Sequence, residues 1–539
     1  MSEILTPWDH QIEADRLAEV SEKIIPGFGY HMEMGTGKTP TAILTLRRLM
    51  NEQKRLMKIL VFTPPMVIPQ WKEEFKRFSK IDQNSITLLM GKGEKRLMLF
   101  KQRGHDAQGN PKPHVFVTNY ETLTMGGKHG EKRGSPYQQG PLLRAFTHWK
   151  PDAIIWDEAH SLKSPEAIRS KEAYHLSNPF DLEKRAWARK PYTYNLTGSP
   201  ILNSALDIFQ QFKVMLGGWP TRQFMESMGD KRYLITNFYA FRARYFRDKN
   251  AGMPSHDRTK YEDWQPMTLE KDGIDALAEI EATIARFSYR KMKSECLQLP
   301  PELIVPMRVP MSTEQAKAYK ELKEQLITYV DDRACKASLA VVKALRLMQI
   351  TSGFISLEGQ GDEMDRANKR FDDTPKIEAL RYLLEEITPH SKMIVWACWR
   401  ENYQALRNLF EELKIDFVEC HGDVSSETKK RANVERFKKD EKARVFLGHP
   451  LSGGIGLNLV AAPYSAFYSW NFSLLQWLQA KSRNHRGGAE VHEKITHYVL
   501  PCQDTIDEYV FEKLEEKREI GEKLLGDLAK RLAVQSARE

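Results

Sequence analysis

The sequence has few of the features that mark secreted, membrane-spanning or zinc-binding proteins. Only five of its 539 residues are cysteines, and no CxxC pair occurs that would indicate a zinc ribbon. A disulfide framework is also disfavoured in a chain of this length, so a reducing compartment is expected. No run of about 18 apolar residues is present, and the first residues lack the basic and apolar regions of a secretion signal. We therefore expect a cytoplasmic protein, in a bacterium or a phage-infected cell, that does not act in a membrane.

The overall composition is that of a globular protein with several cores. Hydrophobic residues make up 41% of the chain and charged residues 28%. A chain of this length predicts two to four domains. The formal net charge of +9 favours a polyanionic partner, but the excess is mild over 539 residues. Composition alone therefore leaves open whether the partner is a nucleic acid.

Two series of short apolar segments, each ending in polar residues, predict two parallel sheets. Strands that alternate with helices favour right-handed crossovers and ligand binding at the carboxyl ends of the strands. The predicted strands are residues 58–64, 114–120, 153–158 and 192–198 in the first series, and 392–398, 416–422, 443–449, 465–471 and 494–500 in the second.

The segments between and after the two series differ from them in composition. The predicted domains are a first sheet domain at 1–219, a helical and basic insertion at 220–298, a proline-rich linker at 299–311, a helical insertion at 312–375, a second sheet domain at 376–504 and a C-terminal helical segment at 505–539. The basic insertion interleaves arginines and a lysine with aromatic residues, namely Arg242, Arg244, Arg247 and Lys249. This pattern suits a surface that grips a nucleic-acid duplex, and it suits equally an amphipathic helix with a buried aromatic face.

The segment HMEMGTGKTPTAI, at 31–43, has the glycine spacing of a phosphate-binding loop. Gly35 and Gly37 would let backbone N–H groups turn toward phosphate oxygens, and Lys38 would reach the terminal phosphates. The Thr39 hydroxyl would bind Mg²⁺, and the helix that follows would direct its positive end at the phosphates. Met32 stands where the general pattern has its first glycine, so an ordinary glycine turn before a helix is the alternative at this segment alone.

A second segment, AIIWDEAH at 153–160, favours nucleotide hydrolysis over that alternative. Asp157 and Glu158 follow directly on a predicted buried strand. A nucleotide-hydrolysing site needs one carboxylate for Mg²⁺, which suits Asp157. It also needs a group that orients or deprotonates the attacking water, which suits Glu158.

With both segments present, the chain resembles superfamily 2 helicases, and among them the Swi2/Snf2 group. The resemblance runs from about residue 5 to about residue 517. It rests on LTPWDHQ (5–11), MEMGTGKT (32–39), VFTPPMVIPQWKEEFKRF (61–78), VTNYETL (117–123), NLTGSPILNSALDIFQQF (195–212), LPPELIVPMRVPMSTEQAKAY (299–319), LSGGIGLNLVAA (451–462) and WLQAKSRNHRGG (477–488). It implies an α/β fold with two RecA-like parallel-sheet domains in tandem and helical Snf2-type insertions.

The resemblance also implies roles for particular residues. ATP would be held by Gln11, Gly35, Thr36, Gly37, Lys38, Thr39 and Gly456, with Mg²⁺ on Thr39 and Asp157. Catalytic roles would fall to Lys38, Asp157, Glu158, Arg483 and Arg486. The two arginines would neutralise transition-state charge from the second domain. Sequence-independent contacts with a nucleic-acid backbone would come from Thr63, Pro64, Thr118, Asn119, Ser452 and Gly453.

The expected activity is that of an ATP-driven, Mg²⁺-dependent motor, monomeric, on double-stranded or branched DNA in replication, recombination or repair. A first alternative keeps the motor but places it on single strands or RNA, as in DEAH-type helicases. A second is the motor subunit of a restriction system, for which Glu321 and Lys323 offer only a chance-level nuclease pattern. A third, a nucleotide switch that does not hydrolyse, is disfavoured by the intact Lys38, Glu158 and Arg486.

Overall fold

The computed structural model of the protein describes most of the chain as two compact units. The described residues are 5–128, 137–181, 186–187, 189–201, 204–248, 264–331, 337–356, 368–371, 374–424, 426–450, 457–516 and 518. The N-terminal unit contains the described residues up to Leu297, and the C-terminal unit contains those from Gln298 onward.

The N-terminal unit is built on a seven-stranded, entirely parallel sheet in the order β13-β1-β8-β5-β2-β4-β3. Its strands are β1 (Gly27–Met32), β2 (Ile59–Phe62), β3 (Ile86–Leu88), β4 (Val115–Thr118), β5 (Ala153–Asp157), β8 (Tyr192–Leu196) and β13 (Ser288–Lys291). Short two-stranded pairs join β6 (Phe180–Asp181) to β7 (Ala186–Trp187), β9 (Trp219–Pro220) to β10 (Leu234–Ile235), and β11 (Phe246–Asp248) to β12 (Trp264–Pro266).

Helices cover both faces of this sheet, and this explains why a central strand such as β2 is apolar throughout. Neighbouring residues of β2 point to opposite faces, so that Ile59 and Val61 enter one core while Leu60 and Phe62 enter the other. The helices are α1 (Asp9–Glu22), α2 (Lys38–Gln53), α3 (Ile68–Phe78), α4 (Gly93–Gly104), α5 (Pro141–Trp149), α6 (Ile168–Ser177), α7 (Asp207–Leu216), α8 (Arg222–Glu226) and α9 (Phe238–Tyr245), followed by Leu269–Asp272 and Ala276–Phe287.

The C-terminal unit repeats the design with a six-stranded parallel sheet in the order β14-β21-β20-β17-β19-β18. Its strands are β14 (Glu302–Pro306), β17 (Met393–Trp396), β18 (Phe417–Cys420), β19 (Val445–Gly448), β20 (Tyr464–Phe467) and β21 (Ile495–Val499), beside the pair β15 (Phe354–Ser356) and β16 (Asn368–Arg370). Its helices are Thr313–Asp331, Ala337–Thr351, Pro375–Ile387, Arg400–Glu412, Glu427–Lys439 and Leu474–Lys481, and residues 506–516 are also helical.

The two parallel sheets confirm the predicted fold class of tandem RecA-like domains. Every strand predicted from an apolar segment is present, and all but one lie within two residues of their predicted bounds. The exception is β20, which ends at Phe467, four residues before the predicted end at residue 471. The predicted linker is not wholly irregular, because β14 pairs in parallel with β21 at the edge of the second sheet. The basic insertion likewise contributes β13 to the edge of the first sheet. The finer domain boundaries remain predictions.

Among the described residues, no helix is both long and apolar enough to cross a membrane.

A buried ion pair attaches the helical residues 506–516 to the rest of the C-terminal unit. Lys376 and Asp507 are almost fully buried and their charged atoms lie 2.5 Å apart. Asp507 also accepts hydrogen bonds from the Thr351 hydroxyl at 2.7 Å and the Cys502 N–H at 3.3 Å. The carboxylate therefore joins three segments of the unit.

We expect the Asp507→Leu substitution to lower the free energy of unfolding by about 3–5 kcal/mol, because it leaves the Lys376 charge buried without its partner. Urea denaturation followed by tryptophan fluorescence measures the change. The double variant Lys376→Met/Asp507→Leu is the control and should recover part of the loss. A single variant as stable as the unsubstituted protein would show that the pair contributes no stability.

Candidate functional site: a phosphate-binding loop facing two carboxylates

The loop between β1 and α2 has the backbone that its glycines predict. Gly35 and Gly37 adopt positive φ angles of 92° and 88°, a region that L side chains rarely enter. Met32, in contrast, is the last residue of β1 and is fully buried. The position therefore needs no glycine, and the departure from the general pattern leaves the two strained turns of the loop intact.

Residues from the start of α1 pack against this loop. His10 Nε2 lies 2.8 Å from the Thr36 carbonyl oxygen. A Cβ atom at Gly37 would lie 2.1 Å from Gln11 Nε2, so the Gln11 amide occupies the space that a larger residue would need. Gln11 Oε1 accepts a hydrogen bond from the Trp8 N–H at 3.0 Å. Gln11 is thus a support of the phosphate loop, a contact that sequence analysis did not predict, and its role toward adenine remains a prediction.

Lys38 lies at the beginning of α2, with its amino group folded back over the loop. Its Nζ donates to the carbonyl oxygens of Met32 at 3.0 Å and Glu33 at 3.4 Å. Thr39 follows in the first turn of the same helix, where unsatisfied N–H groups give the helix end a partial positive charge. The lysine and the helix end therefore combine positive charges on one side of the loop.

Asp157 ends β5 and is held by hydrogen bonds from two other elements. Its Oδ2 accepts from the Thr63 hydroxyl at 2.8 Å and from the Trp71 indole N–H at 2.9 Å. Burial and the neighbouring charge of Glu158 raise the pKa of Asp157 to about 6, against the opposing effects of these two donors and of Lys38. Burial and the Glu158 charge thus disfavour the charged form of Asp157, so a bound cation would stabilise that form.

Glu158 has an unusual backbone and an unsatisfied carboxylate oxygen. Its φ of 56° places a non-glycine residue in the left-handed region, a strain that is common at functional sites. Its Oε2 is buried and makes no hydrogen bond among the described residues, although His160 Nδ1 lies 3.3 Å away. Burial lowers the pKa of His160 to about 4, so this histidine is uncharged at neutral pH and does not neutralise Glu158.

Residues at the end of β8 complete the site. His160 Nδ1 lies 3.1 Å from the Thr197 hydroxyl, which also accepts a hydrogen bond from the Ser199 N–H at 3.2 Å. A Cβ atom at Gly198 would lie 3.3 Å from the Met32 carbonyl oxygen, so the β8 turn packs closely on the phosphate loop. The three strand ends β1, β5 and β8 are neighbours in the sheet, which brings these groups together.

This arrangement fits a nucleoside triphosphate and Mg²⁺. The two positive-φ glycines free backbone N–H groups for phosphates, Lys38 adds a charge, and Asp157 and Thr39 offer oxygen ligands. Mg²⁺ commonly uses one or two protein oxygens together with phosphates and water, as Asp157 and Thr39 would provide.

The predicted nucleic-acid contacts in the N-terminal unit have side chains that are already engaged. Thr63 and Thr118 are fully buried, and the Thr118 hydroxyl donates to the Leu89 carbonyl oxygen at 3.3 Å. Asn119 is also buried, and its Oδ1 accepts from Arg96 Nη1 at 2.8 Å. Pro64 is partly exposed. A contact by these residues would therefore use backbone groups, and their assignment remains a prediction.

Arg96 is a residue of this region that sequence analysis missed. It is 5% exposed and donates to Asn119 Oδ1, to the Thr122 hydroxyl and to the Gly91 carbonyl oxygen, each at 2.8 Å. These three acceptors are uncharged, and burial lowers the pKa of the guanidinium. A single arginine in a charged helix carries no sequence signal of this kind, because its acceptors lie on separate segments.

The arginines of the basic insertion favour the amphipathic interpretation of α9. Phe241 and Tyr245 are buried, while Arg242 stacks over the Trp264 ring at 3.8 Å. The other two arginines form ion pairs, Arg244 with Glu279 at 3.7 Å and Arg247 with Asp272 at 3.4 Å. Lys249 lies outside the described residues. The described part of this segment is therefore an aromatic core with a largely neutralised basic face.

In the C-terminal unit, the segment that follows helix Leu474–Lys481 is anchored on both sides. The Arg483 carbonyl oxygen accepts from the Leu459 N–H at 2.9 Å, and Arg486 Nη1 donates to the Leu457 carbonyl oxygen at 3.2 Å. His485 Nε2 lies 2.9 Å from the Pro300 carbonyl oxygen. Arg483 is 4% exposed within this structure. Ser452, Gly453 and Gly456 lie outside the described residues, so their predicted roles are untested.

A cluster around Glu302 supports the same segment. The Glu302 carboxylate lies 3.1 Å from Lys481 Nζ, 3.4 Å from His485 Nδ1 and 3.1 Å from His497 Nε2. Burial opposes its ionisation, but the two histidines and the lysine hold the pKa of Glu302 far below its ordinary value. Sequence analysis took the residues of β14 for a linker. In the structure this strand carries Glu302, which holds the segment that contains the predicted catalytic arginines.

A phosphate loop after β1, with an aspartate and a glutamate at the end of β5, the next strand but one in the parallel sheet, defines the class of P-loop nucleotide-binding proteins. Comparison with protein families places the chain within that class. The SNF2-related domain matches residues 31–352, more than half of the chain, and the helicase conserved C-terminal domain matches residues 375–488. The chain belongs to the SNF2-related family of superfamily 2 helicase-type ATPases.

Curated relatives match nearly the whole chain at low identity. An uncharacterized ATP-dependent helicase of Mycoplasma genitalium is 22% identical over 92% of this chain and 40% of its own length. The chromodomain-helicase-DNA-binding protein 1-like of Mus musculus is 23% identical over 90% of this chain and 46% of its own length. The DNA repair and recombination protein RDH54 of Saccharomyces cerevisiae is 23% identical over 87% and 46%. The chain thus spans less than half the length of these relatives.

Among solved structures, the Sulfolobus solfataricus SWI2/SNF2 ATPase core in complex with dsDNA is similar at 18% identity. The alignment covers 98% of this chain and 96% of that chain, with a TM-score of 0.37.

Proposed function

We propose that the protein is a DNA-dependent ATPase that moves along double-stranded or branched DNA. The observation that carries the proposal is the buried Asp157 carboxylate beside Glu158, whose Oε2 is buried, at the phosphate loop of a chain from the SNF2-related family. The names of two relatives, one a chromodomain-helicase-DNA-binding protein and one a DNA repair and recombination protein, support DNA as the track. A role in replication, recombination or repair is the corresponding cellular proposal.

Each residue of the site has a task in this proposal. Mg²⁺, when bound with ATP, would supply positive charge at the phosphates, and Asp157 and Thr39 would hold it. Lys38 and the N–H groups of the loop would bind and orient the terminal phosphates. Glu158 would orient the attacking water and accept its proton at Oε2, the buried oxygen that makes no hydrogen bond among the described residues.

The two arginines of the C-terminal unit complete the proposal. Arg483 and Arg486 would neutralise charge on the transferring phosphate, so that turnover depends on the approach of the C-terminal unit. The anchoring of their segment by Leu457, Leu459 and Pro300 supports this role, because an arginine that stabilises a transition state must be held in place.

A motor that moves over any sequence must hold the phosphate backbone rather than the bases. The buried Arg96 donates hydrogen bonds to three uncharged acceptors, one of them on Asn119, and so adds positive charge beneath this predicted contact residue. The net charge of +9 is consistent with such a partner.

The test is steady-state ATP hydrolysis without nucleic acid and with duplex DNA, forked DNA, single-stranded DNA or RNA, at one fixed salt concentration. We expect duplex or forked DNA to raise turnover by at least about tenfold, since an arginine supplied across a cleft accelerates nucleotide hydrolysis by far more than this. Stimulation only by single strands or RNA would overturn the duplex track and favour a single-strand helicase.

A further inference from the structure

The end of β2 and the first turns of α3 reach directly into the hydrolytic site. Thr63 follows β2 and Trp71 lies in α3, and both donate hydrogen bonds to Oδ2 of Asp157, at 2.8 and 2.9 Å. Both donors are fully buried. Because two bonds from different directions meet at one oxygen, they fix the rotation of the carboxyl group and therefore the direction of its second oxygen.

The residues between the two donors are placed differently. Pro65 and Gln70 are exposed, and Pro64 and Pro69 are partly exposed. This connection, residues 64–70 including the start of α3, therefore presents these four residues to a partner, although Ile68 is buried. The residues on either side of it, Thr63 and Trp71, are bonded to the carboxylate that we assign to Mg²⁺. If a ligand displaced the connection, the two hydrogen bonds would pass this movement directly to the Asp157 carboxylate.

A backbone contact extends the same path. The Thr63 N–H donates to the Thr118 carbonyl oxygen at 2.9 Å, so the ends of β2 and β4 are joined. Tyr120, two residues further along, donates its hydroxyl to the Asp157 carbonyl oxygen at 2.7 Å. The two segments of the N-terminal unit that are predicted to contact nucleic acid thus both adjoin residues that are hydrogen-bonded to Asp157.

We propose that Thr63 and Trp71 are positioning residues that couple nucleic-acid binding at residues 64–70 to the orientation of the Asp157 carboxylate. The coupling rests on the proposed function, in which DNA stimulates hydrolysis. In the free protein the two donors hold the carboxylate in the orientation that binds Mg²⁺. A nucleic-acid backbone bound at residues 64–70 shifts this connection and thereby changes the orientation of the carboxylate. Neither residue touches the reacting atoms; each acts through Asp157.

Three single variants separate this role from ordinary core packing. Trp71→Phe keeps an aromatic ring but removes the N–H donor, and Thr63→Val removes the hydroxyl at almost the same shape. Trp156→Phe is the matched control, because Trp156 is equally buried, precedes Asp157 in β5, and donates its N–H to the Ser177 hydroxyl at 3.1 Å on the other face of the sheet.

The first readout is the binding of a fluorescent ATP analogue titrated with Mg²⁺, which requires no turnover. We expect Trp71→Phe and Thr63→Val to need about 10- to 100-fold more Mg²⁺, the usual effect of losing a hydrogen bond that orients a metal ligand. The second readout is the ratio of ATP turnover with and without duplex DNA, which we expect to fall toward one in both variants. Trp156→Phe should change only the melting temperature.

If both variants match Trp156→Phe in the magnesium titration and in the stimulation ratio, the proposal is wrong and the two bonds serve packing alone. A wild-type protein that no nucleic acid stimulates would overturn the proposed function and the coupling. In that case the magnesium titration still tests the positioning role. If Trp71→Phe needs no more Mg²⁺ than the wild type, the positioning role is also wrong. If it needs more Mg²⁺, the positioning role stands without the coupling.

Discussion

We expect the Lys38→Ala protein to lose ATP turnover by at least about 100-fold, measured as phosphate release with saturating duplex DNA. The Lys38 amino group is held over the phosphate loop by the carbonyl oxygens of Met32 and Glu33. Removing it takes away a positive charge at the position where negative charge accumulates during phosphoryl transfer. Binding of ATP should weaken as well, since the same charge faces the phosphates before the reaction.

Lys101→Ala is a suitable control for this experiment. Lys101 is exposed in the last turn of α4, so its loss removes the same charge from the protein without touching the loop. Its turnover should equal that of the unsubstituted protein. Retained turnover in Lys38→Ala, with an unchanged melting temperature, would refute the assignment of residues 31–43 as the phosphate site.

The second large effect is expected for Glu158→Gln, which should bind ATP normally yet hydrolyse it about 10²- to 10⁴-fold more slowly. The substitution preserves the shape of the side chain but replaces the group that accepts a proton. Glu158 Oε2 is buried without a hydrogen bond among the described residues, and the uncharged His160 does not neutralise it. Nucleotide binding is measured with a fluorescent ATP analogue, and turnover by phosphate release.

Glu166→Gln provides the corresponding control, because Glu166 is mostly exposed and forms an ion pair with the surface residue Lys171. It should hydrolyse ATP at the normal rate. Normal hydrolysis by Glu158→Gln would exclude Glu158 as the water-positioning group, and lost nucleotide binding would instead indicate a role in folding of the loop.

The parts of the site that the sequence predicted are those contained in a single continuous segment. Gly35, Gly37 and Lys38 lie within four residues of one another, and a loop of that spacing can form by itself at the end of a strand. Asp157 and Glu158 were predictable for the same reason, because the four apolar residues of β5 directly precede them. The strands that were predicted follow from apolar segments that are buried on both faces, whereas β1 and β3 of the first sheet were not predicted.

The parts that the sequence did not predict depend on distant segments meeting. Thr63 was predicted to contact nucleic acid, but its hydroxyl is bonded to Asp157, 94 residues further along. The contact of Trp71 with Asp157 was not predicted for the same reason. Nor was the contact of His485 with the Pro300 carbonyl oxygen, since these two residues are 185 positions apart in the chain. No local pattern of residues records such pairs.

The edge strands β13 and β14 illustrate the same division. Each lies in a polar or proline-rich stretch that sequence analysis took for an insertion or a linker. They were missed because an edge strand pairs with the sheet on one side only and its apolar pattern is therefore weak. The sequence by itself determined the fold class, the phosphate loop and the two carboxylates, since these depend on local backbone conformation and strand burial. Only the tertiary structure decided which side chains support them, because the order of strands in a parallel sheet brings together residues that are far apart in the chain.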